Sequence, residues 1–128
     1  MLNRKGFTLI ELIVVVVIIG LLATIAVPKL ASSKDRARLA SVKTDLRNLM
    51  TAQEAFYSDN STYAADYAAL QAGTNNTLSS GNAATVVGDA SGFTATVSNS
   101  TITSGVSQCT VQVGAGAAST ADGVITCS

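Results

Sequence analysis

The chain has 128 residues, 48% of them hydrophobic, with no histidine, no tryptophan and a formal net charge of zero. That leaves room for one small domain beside a long helix and excludes histidine-based general-base and Ser-His-Asp chemistry. The zero hides a division: all eight Lys and Arg fall between Arg4 and Arg47 among three acidic residues, whereas residues 48–128 hold five acidic residues and no basic one, so direct binding of nucleic acid is not expected.

The first element is an almost unbroken apolar run from Phe7 to Val27, 21 residues long. At about 1.5 Å per residue it makes a helix of roughly 31 Å, the thickness of a bilayer core. Arg4 and Lys5 precede it, which holds the N-terminus in the cytoplasm and sends the rest of the chain outward. A Sec signal peptide has a shorter apolar core, about 7 to 15 residues, and no acidic residue within it. Here Glu11 stands inside the run. A carboxylate at mid-membrane costs about 2.5 to 3.5 kcal/mol, so Glu11 must sit near an interface, be protonated or have a partner. Cutting the chain between Gly6 and Phe7 would create such a partner, the new α-amino group of Phe7 on another copy.

Lys5-Gly6-Phe7-Thr8-Leu9-Ile10-Glu11-Leu12, behind a short polar leader and ahead of the apolar run, closely resembles the class III signal of bacterial type IV pilins and pseudopilins. The resemblance is dense from Lys5 to Pro28 and says little about the last 60 residues. It implies a leader peptide, residues 1–6, removed after Gly6 by a prepilin peptidase that also N-methylates Phe7. It further implies that Glu11, with Phe7, sets subunit register in a homopolymer, a helical filament drawn from the inner membrane by an assembly platform and its ATPase machinery. The expected product is a type IVa-like major pilin: an inner-membrane precursor, then an extracellular pilus on the cell surface. Two alternatives remain open at this stage. One is a pseudopilin of a type II secretion system, which typically carries calcium-site carboxylates in its C-terminal loop. The other is a membrane-anchored binding module that never polymerises.

Gly20 and Pro28 bracket the second half of the apolar segment, 7–28. Proline removes an intrahelical hydrogen bond and clashes with the preceding turn, so Pro28 is expected to kink or loosen the helix there. In filament-forming pilins the helix between the corresponding glycine and proline opens on assembly. From 29 to 60 the helix continues as an amphipathic one. Leu39, Val42, Leu46, Leu49, Gln53 and Phe56 step by three and four, an apolar stripe with one polar interruption. Lys34, Asp35, Arg36, Arg38, Lys43, Asp45 and Arg47 read as a mixed, solvated charged face that can also meet a neighbouring subunit.

Ser58-Asp59-Asn60-Ser61 ends the helical pattern. Residues 61–83 read as a connecting loop with a short helical turn between Tyr63 and Leu70, and 71–83 as plain surface loop. The remainder, 84–128, alternates apolar and polar residues at period two. Candidate strands are Thr85-Val86-Val87, Phe93 to Val97, Thr101-Ile102-Thr103, Cys109 to Val113 and Val124 to Cys127, punctuated by Gly88, Asn99, Gly105, Gly116 and Asp122-Gly123. The expected fold is α+β: a long N-terminal helix, apolar then amphipathic, packed on a small C-terminal antiparallel sheet. Its core would set Phe93, Ala95, Val97, Val111 and Val113 against the helical stripe.

Cys109 and Cys127, in an extracytoplasmic domain, are expected to form a disulfide. Two cysteines 18 apart without histidine make a poor zinc site, and there is no Cys-x-x-Cys for a redox pair. No phosphate-binding glycine loop precedes a helix, and no enzyme or cofactor is expected. Asp59, Asn60 and Asp66 lack the spacing of a calcium loop. Asn60-Ser61-Thr62, Asn75-Asn76-Thr77 and Asn99-Ser100-Thr101 fit the glycosylation triplet as chance would produce it in so Ser- and Thr-rich a chain. Tyr57, Tyr63 and Tyr67 are expected to pack between the helix end and the loop.

Overall fold

Fifty-two residues without a strong breaker except Pro28 form the first helix, α1, Leu9–Asn60, in the computed structural model, which describes residues 6–114 and 122–128. The leader before Gly6 and the turn at Gly116 lie outside the described residues. Pro28 is accommodated inside α1, and Ser61, in the left-handed conformation at φ 55°, ends it. The second helix, α2, covers Tyr67–Thr74. Four strands follow: β1, Asn82–Gly88; β2, Gly92–Asn99; β3, Gln108–Gly114; and β4, Thr126–Cys127. They make one antiparallel meander in the order β1-β2-β3-β4.

The chain divides into two compact units, Met1–Lys34 and Asp35–Ser128. In the first, every side chain from Gly6 to Lys34 is exposed, a helix apolar on all sides with nothing of its own to cover it. Such a helix belongs in lipid or among other helices.

The second unit is a two-layer α+β domain. Val42, Leu46 and Leu49 of α1 are fully buried and cluster with Val86, Phe93, Ala95, Val97, Cys109 and Val111 of the sheet. Strands β2 and β3 alternate buried with half-buried residues, as a sheet with one covered face requires. Leu39, Phe56 and Val113 complete the core from its margin. Leu70 of α2 is also fully buried, so the segment after α1 contributes to the core.

Three expectations are corrected. Residues 71–83 are more than surface loop, because α2 extends to Thr74 and β1 begins at Asn82. Asp66 makes α2 possible as its N-cap, accepting from Ala69 N at 2.7 Å, while Asn75 closes the other end in the left-handed conformation. Thr101-Ile102-Thr103 is not a strand. Asn99 ends β2 by a turn in which Ile102 N donates to Asn99 O and the Asn99 side chain accepts from Thr101 N at 3.0 Å, which takes the backbone out of the ladder. Finally, the last strand keeps only Thr126 and Cys127, with Val124 and Ile125 outside it.

Candidate functional site

The residues singled out at the N-terminus meet in one turn. Thr8 precedes α1 and Glu11 is its third residue, a Thr-x-x-Glu capping box. Glu11 N donates to Thr8 Oγ1 at 3.3 Å. In return Glu11 Oε2 accepts from Thr8 N at 2.8 Å and from Thr8 Oγ1 at 2.7 Å. The carboxylate is thereby satisfied within a single chain, and the first orphan amides of the helix are covered. Sequence reasoning passed over Thr8, although a threonine three residues before a glutamate at the head of an apolar run is the pattern of such a cap. Phe7 is 85% exposed beside this turn. A Cβ at Gly6 or Gly20 would meet nothing, so neither glycine is required by packing within the chain.

The second unit is held by polar side chains that the sequence presents as ordinary charged or amide positions. Asp45, 3% exposed, accepts from Ser79 N at 2.8 Å, Ser79 Oγ at 2.9 Å and Asn82 Nδ2 at 2.7 Å. Asn82 in turn accepts from Asn99 Nδ2 at 2.7 Å, so one network ties α1 to the start of β1 and the end of β2. Asp35, 5% exposed, accepts from Ser104 Oγ at 2.7 Å and Ser104 N at 3.1 Å and pairs with Arg38 at 3.2 Å. Arg38 also donates to Thr101 O at 2.8 Å. These bonds fasten the β2–β3 connection to α1. The Ser104 hydroxyl foremost, followed by its backbone amide and Arg38, holds the Asp35 carboxyl below the usual aspartate range against the opposing effect of burial.

Cys109 and Cys127 are joined by a disulfide that pairs β3 with β4 in direct register. Tyr63 sits between Tyr57 and Phe93, with ring centroids 4.6 and 5.0 Å away. Burial first, then its bond to Glu54, pushes the Tyr63 phenol upward. Tyr67 goes elsewhere, donating to Asn76 O at 3.3 Å. Asp66 serves as the cap of α2 and Asn60 Nδ2 donates to Phe56 O, and among the described residues no three acidic, Cys or His side chains converge. Asn99 is buried in its network and so is closed as an acceptor for sugar.

Comparison with known proteins bears on both units. Residues 1–27 match the prokaryotic N-terminal methylation motif. The chain is 47% identical over 61 residues to the type IV major pilin protein PilA of Myxococcus xanthus, an alignment covering 48% of this chain and 28% of that one. It is 41% identical over 70 residues to the type IV wide pilus major component PilA4 of Thermus thermophilus, covering 55% and 53%. The type II secretion system core protein G of Klebsiella michiganensis is also 41% identical over 70 residues, covering 55% and 49%. The chain thus spans about half the length, or less, of the curated relatives it matches. Over about half of its length the chain is thus similar both to type IV pilus subunits and to a type II secretion core protein, with a methylation motif at its N-terminus.

Proposed function

We propose that the chain is a structural subunit that polymerises into a type IV pilus after cleavage following Gly6 and N-methylation of Phe7. The observation that carries this reading is the first unit itself. Its apolar helix is exposed on every side, which fits lipid before assembly and a bundle of identical helices afterwards. Exchanging lipid for a protein core replaces one apolar solvent by another, so the transfer need not be steeply uphill. Residues 7–28 would form the membrane span and then the filament core, with the second unit facing outward.

Glu11 is the register device in this account. In the single chain its carboxylate folds back on Thr8; in the filament it would pair with the Phe7 amine of a neighbour. A buried pair of this kind adds little net stability and fixes alignment instead. Gly20 and Pro28 would be where the helix loosens as the subunit enters the filament. The prepilin peptidase, the assembly platform and its ATPase are the partners this route needs, and no catalytic role or cofactor is assigned to the chain.

The test is Glu11→Ala. This variant should insert and be cleaved like the wild type yet build no filaments, and long filaments from it would contradict the register role. A second reading, a type II secretion pseudopilin, is favoured by the similarity to several core protein G chains, 36–43% identical over 63–72 residues. Deleting the gene separates the two readings: loss of surface pili with secretion intact supports the first, and the reverse supports the second.

A further inference from the structure

Between Glu11 and Asp35 the chain has no acidic residue, and the first cations after the apolar run are Lys29 and Lys34. Both are exposed, as are Ser32 and Ser33 between them. Among the described residues none of these four side chains has a hydrogen-bond or ion-pair partner. Asp35, next in sequence, offers no countercharge, because it is buried in its own unit, accepting from Ser104 and paired with Arg38. With a bilayer core filled by Phe7 to Val27, the helical rise sets Lys29 about 3 Å and Lys34 about 10 Å beyond it. The headgroup layer is about 5 to 8 Å deep on each side, so Lys29 lies within it and the flexible stem of Lys34 reaches back to it. Around the helix the two lysines are about 140° apart, and Ser33 stands about 40° from Lys29, one turn further on.

We propose that residues 28–34 form a binding collar for anionic phospholipid of the extracytoplasmic leaflet. Lys29 and the Ser33 hydroxyl take the phosphate of one headgroup, and Lys34 takes that of another on the far side of the helix. Two unpaired cations on different sides, close to one depth, suit surroundings that present anions all round. A headgroup layer does so, whereas a single docked protein addresses one face. Leu30 and Ala31, exposed at the same level, keep the collar against the apolar edge of the leaflet. Cleavage after Gly6 would remove Arg4 and Lys5, leaving this collar as the lysine anchor that holds the span at its depth.

The collar presupposes that residues 7–28 span a membrane, as proposed above, and its test keeps the two apart. The full chain is reconstituted in phosphatidylcholine bilayers carrying a photoactivatable headgroup analogue of either phosphatidylglycerol or phosphatidylcholine, and lipid adducts are mapped along the chain by mass spectrometry. A lysine near an anionic surface gains about fivefold in association, so residues 28–34 should carry about fivefold more adduct from the anionic probe than from the neutral one. K29Q/K34Q should bring that ratio close to one and added salt should lower it, while adducts near Arg4 and Lys5 persist as the internal reference. K43Q, fourteen residues beyond Lys29, should leave the ratio unchanged. Equal labelling by the two probes in the wild type, or a ratio that K29Q/K34Q leaves intact, would overturn the collar with the span still standing. Inorganic phosphate that abolishes the ratio at matched ionic strength would make a free anion the ligand and overturn the lipid assignment. A wild-type chain that takes no adduct from either probe and floats with no bilayer would sink the span and the collar together.

Discussion

Gln53 and the backbone of Ala64 are paired as if they were two strands of a sheet. Gln53 Oε1 accepts from Ala64 N at 2.8 Å and Gln53 Nε2 donates to Ala64 O at 3.1 Å, with Gln53 fully buried. The one polar residue in the apolar stripe of α1 is thus the anchor for the chain that leaves the helix. Replacing it by leucine of similar size would bury an unpaired amide and carbonyl, each costing about 1 to 3 kcal/mol. Gln53→Leu should therefore lower the thermal midpoint of the second unit more than Leu39→Ala at the core margin does. Calorimetry on the two variants checks the order.

Gly88 meets the same stretch from the sheet side. A Cβ there would stand 2.5 Å from Ala64 O and 3.0 Å from Tyr63 Cβ. Backbone cannot yield as a flexible side chain can, so Gly88→Ala should cost about 1 to 3 kcal/mol as overpacking. Denaturant unfolding should show the loss in the midpoint with an unchanged slope.

Asp35 gives the domain a defined acid sensitivity. Its carboxyl is held below the ordinary value, first by the Ser104 hydroxyl, so the unfolded chain binds the proton more readily than the folded one. The stabilisation is complete above the unfolded value, about pH 4, and is lost as pH falls through the lower folded value. Asp35→Asn should therefore flatten the fall of the thermal midpoint below about pH 4. Identical acid limbs in the two proteins would remove Asp35 from the account.

The disulfide closes a short loop around a thin core. Cys109 and Cys127 are 18 residues apart, and opening that loop in the unfolded chain costs about 3 kcal/mol of stability in the chain-entropy picture. Cys109→Ser/Cys127→Ser should unfold at a midpoint lower by more than about 10 °C for a domain of this size. Unfolding followed by tyrosine fluorescence measures it.

The helices and strands were legible wherever periodicity was strong. The stripe from Leu39 to Phe56, the break after Asn60 and the alternation in β2 and β3 stand in the structure as the residue pattern implies. What escaped was set by partners distant in sequence. Asp45 reads as one charge among several on a solvated face, and only Ser79 and Asn82, 34 and 37 residues away, make it a buried anchor. The same holds for Asp35 with Ser104, 69 residues on. Thr101-Ile102-Thr103 has the alternation of a strand, yet the Asn99 side chain captures the backbone first. By contrast, the Thr8 and Glu11 cap was local and could have been read directly.

Mass and N-terminal sequence of this chain from filaments sheared off the cell surface test the central claim most directly. The account predicts a chain beginning at N-methylated Phe7 and lighter by the pair of hydrogens that the Cys109–Cys127 bond removes. A chain found only in membranes and still beginning at Met1 would contradict it.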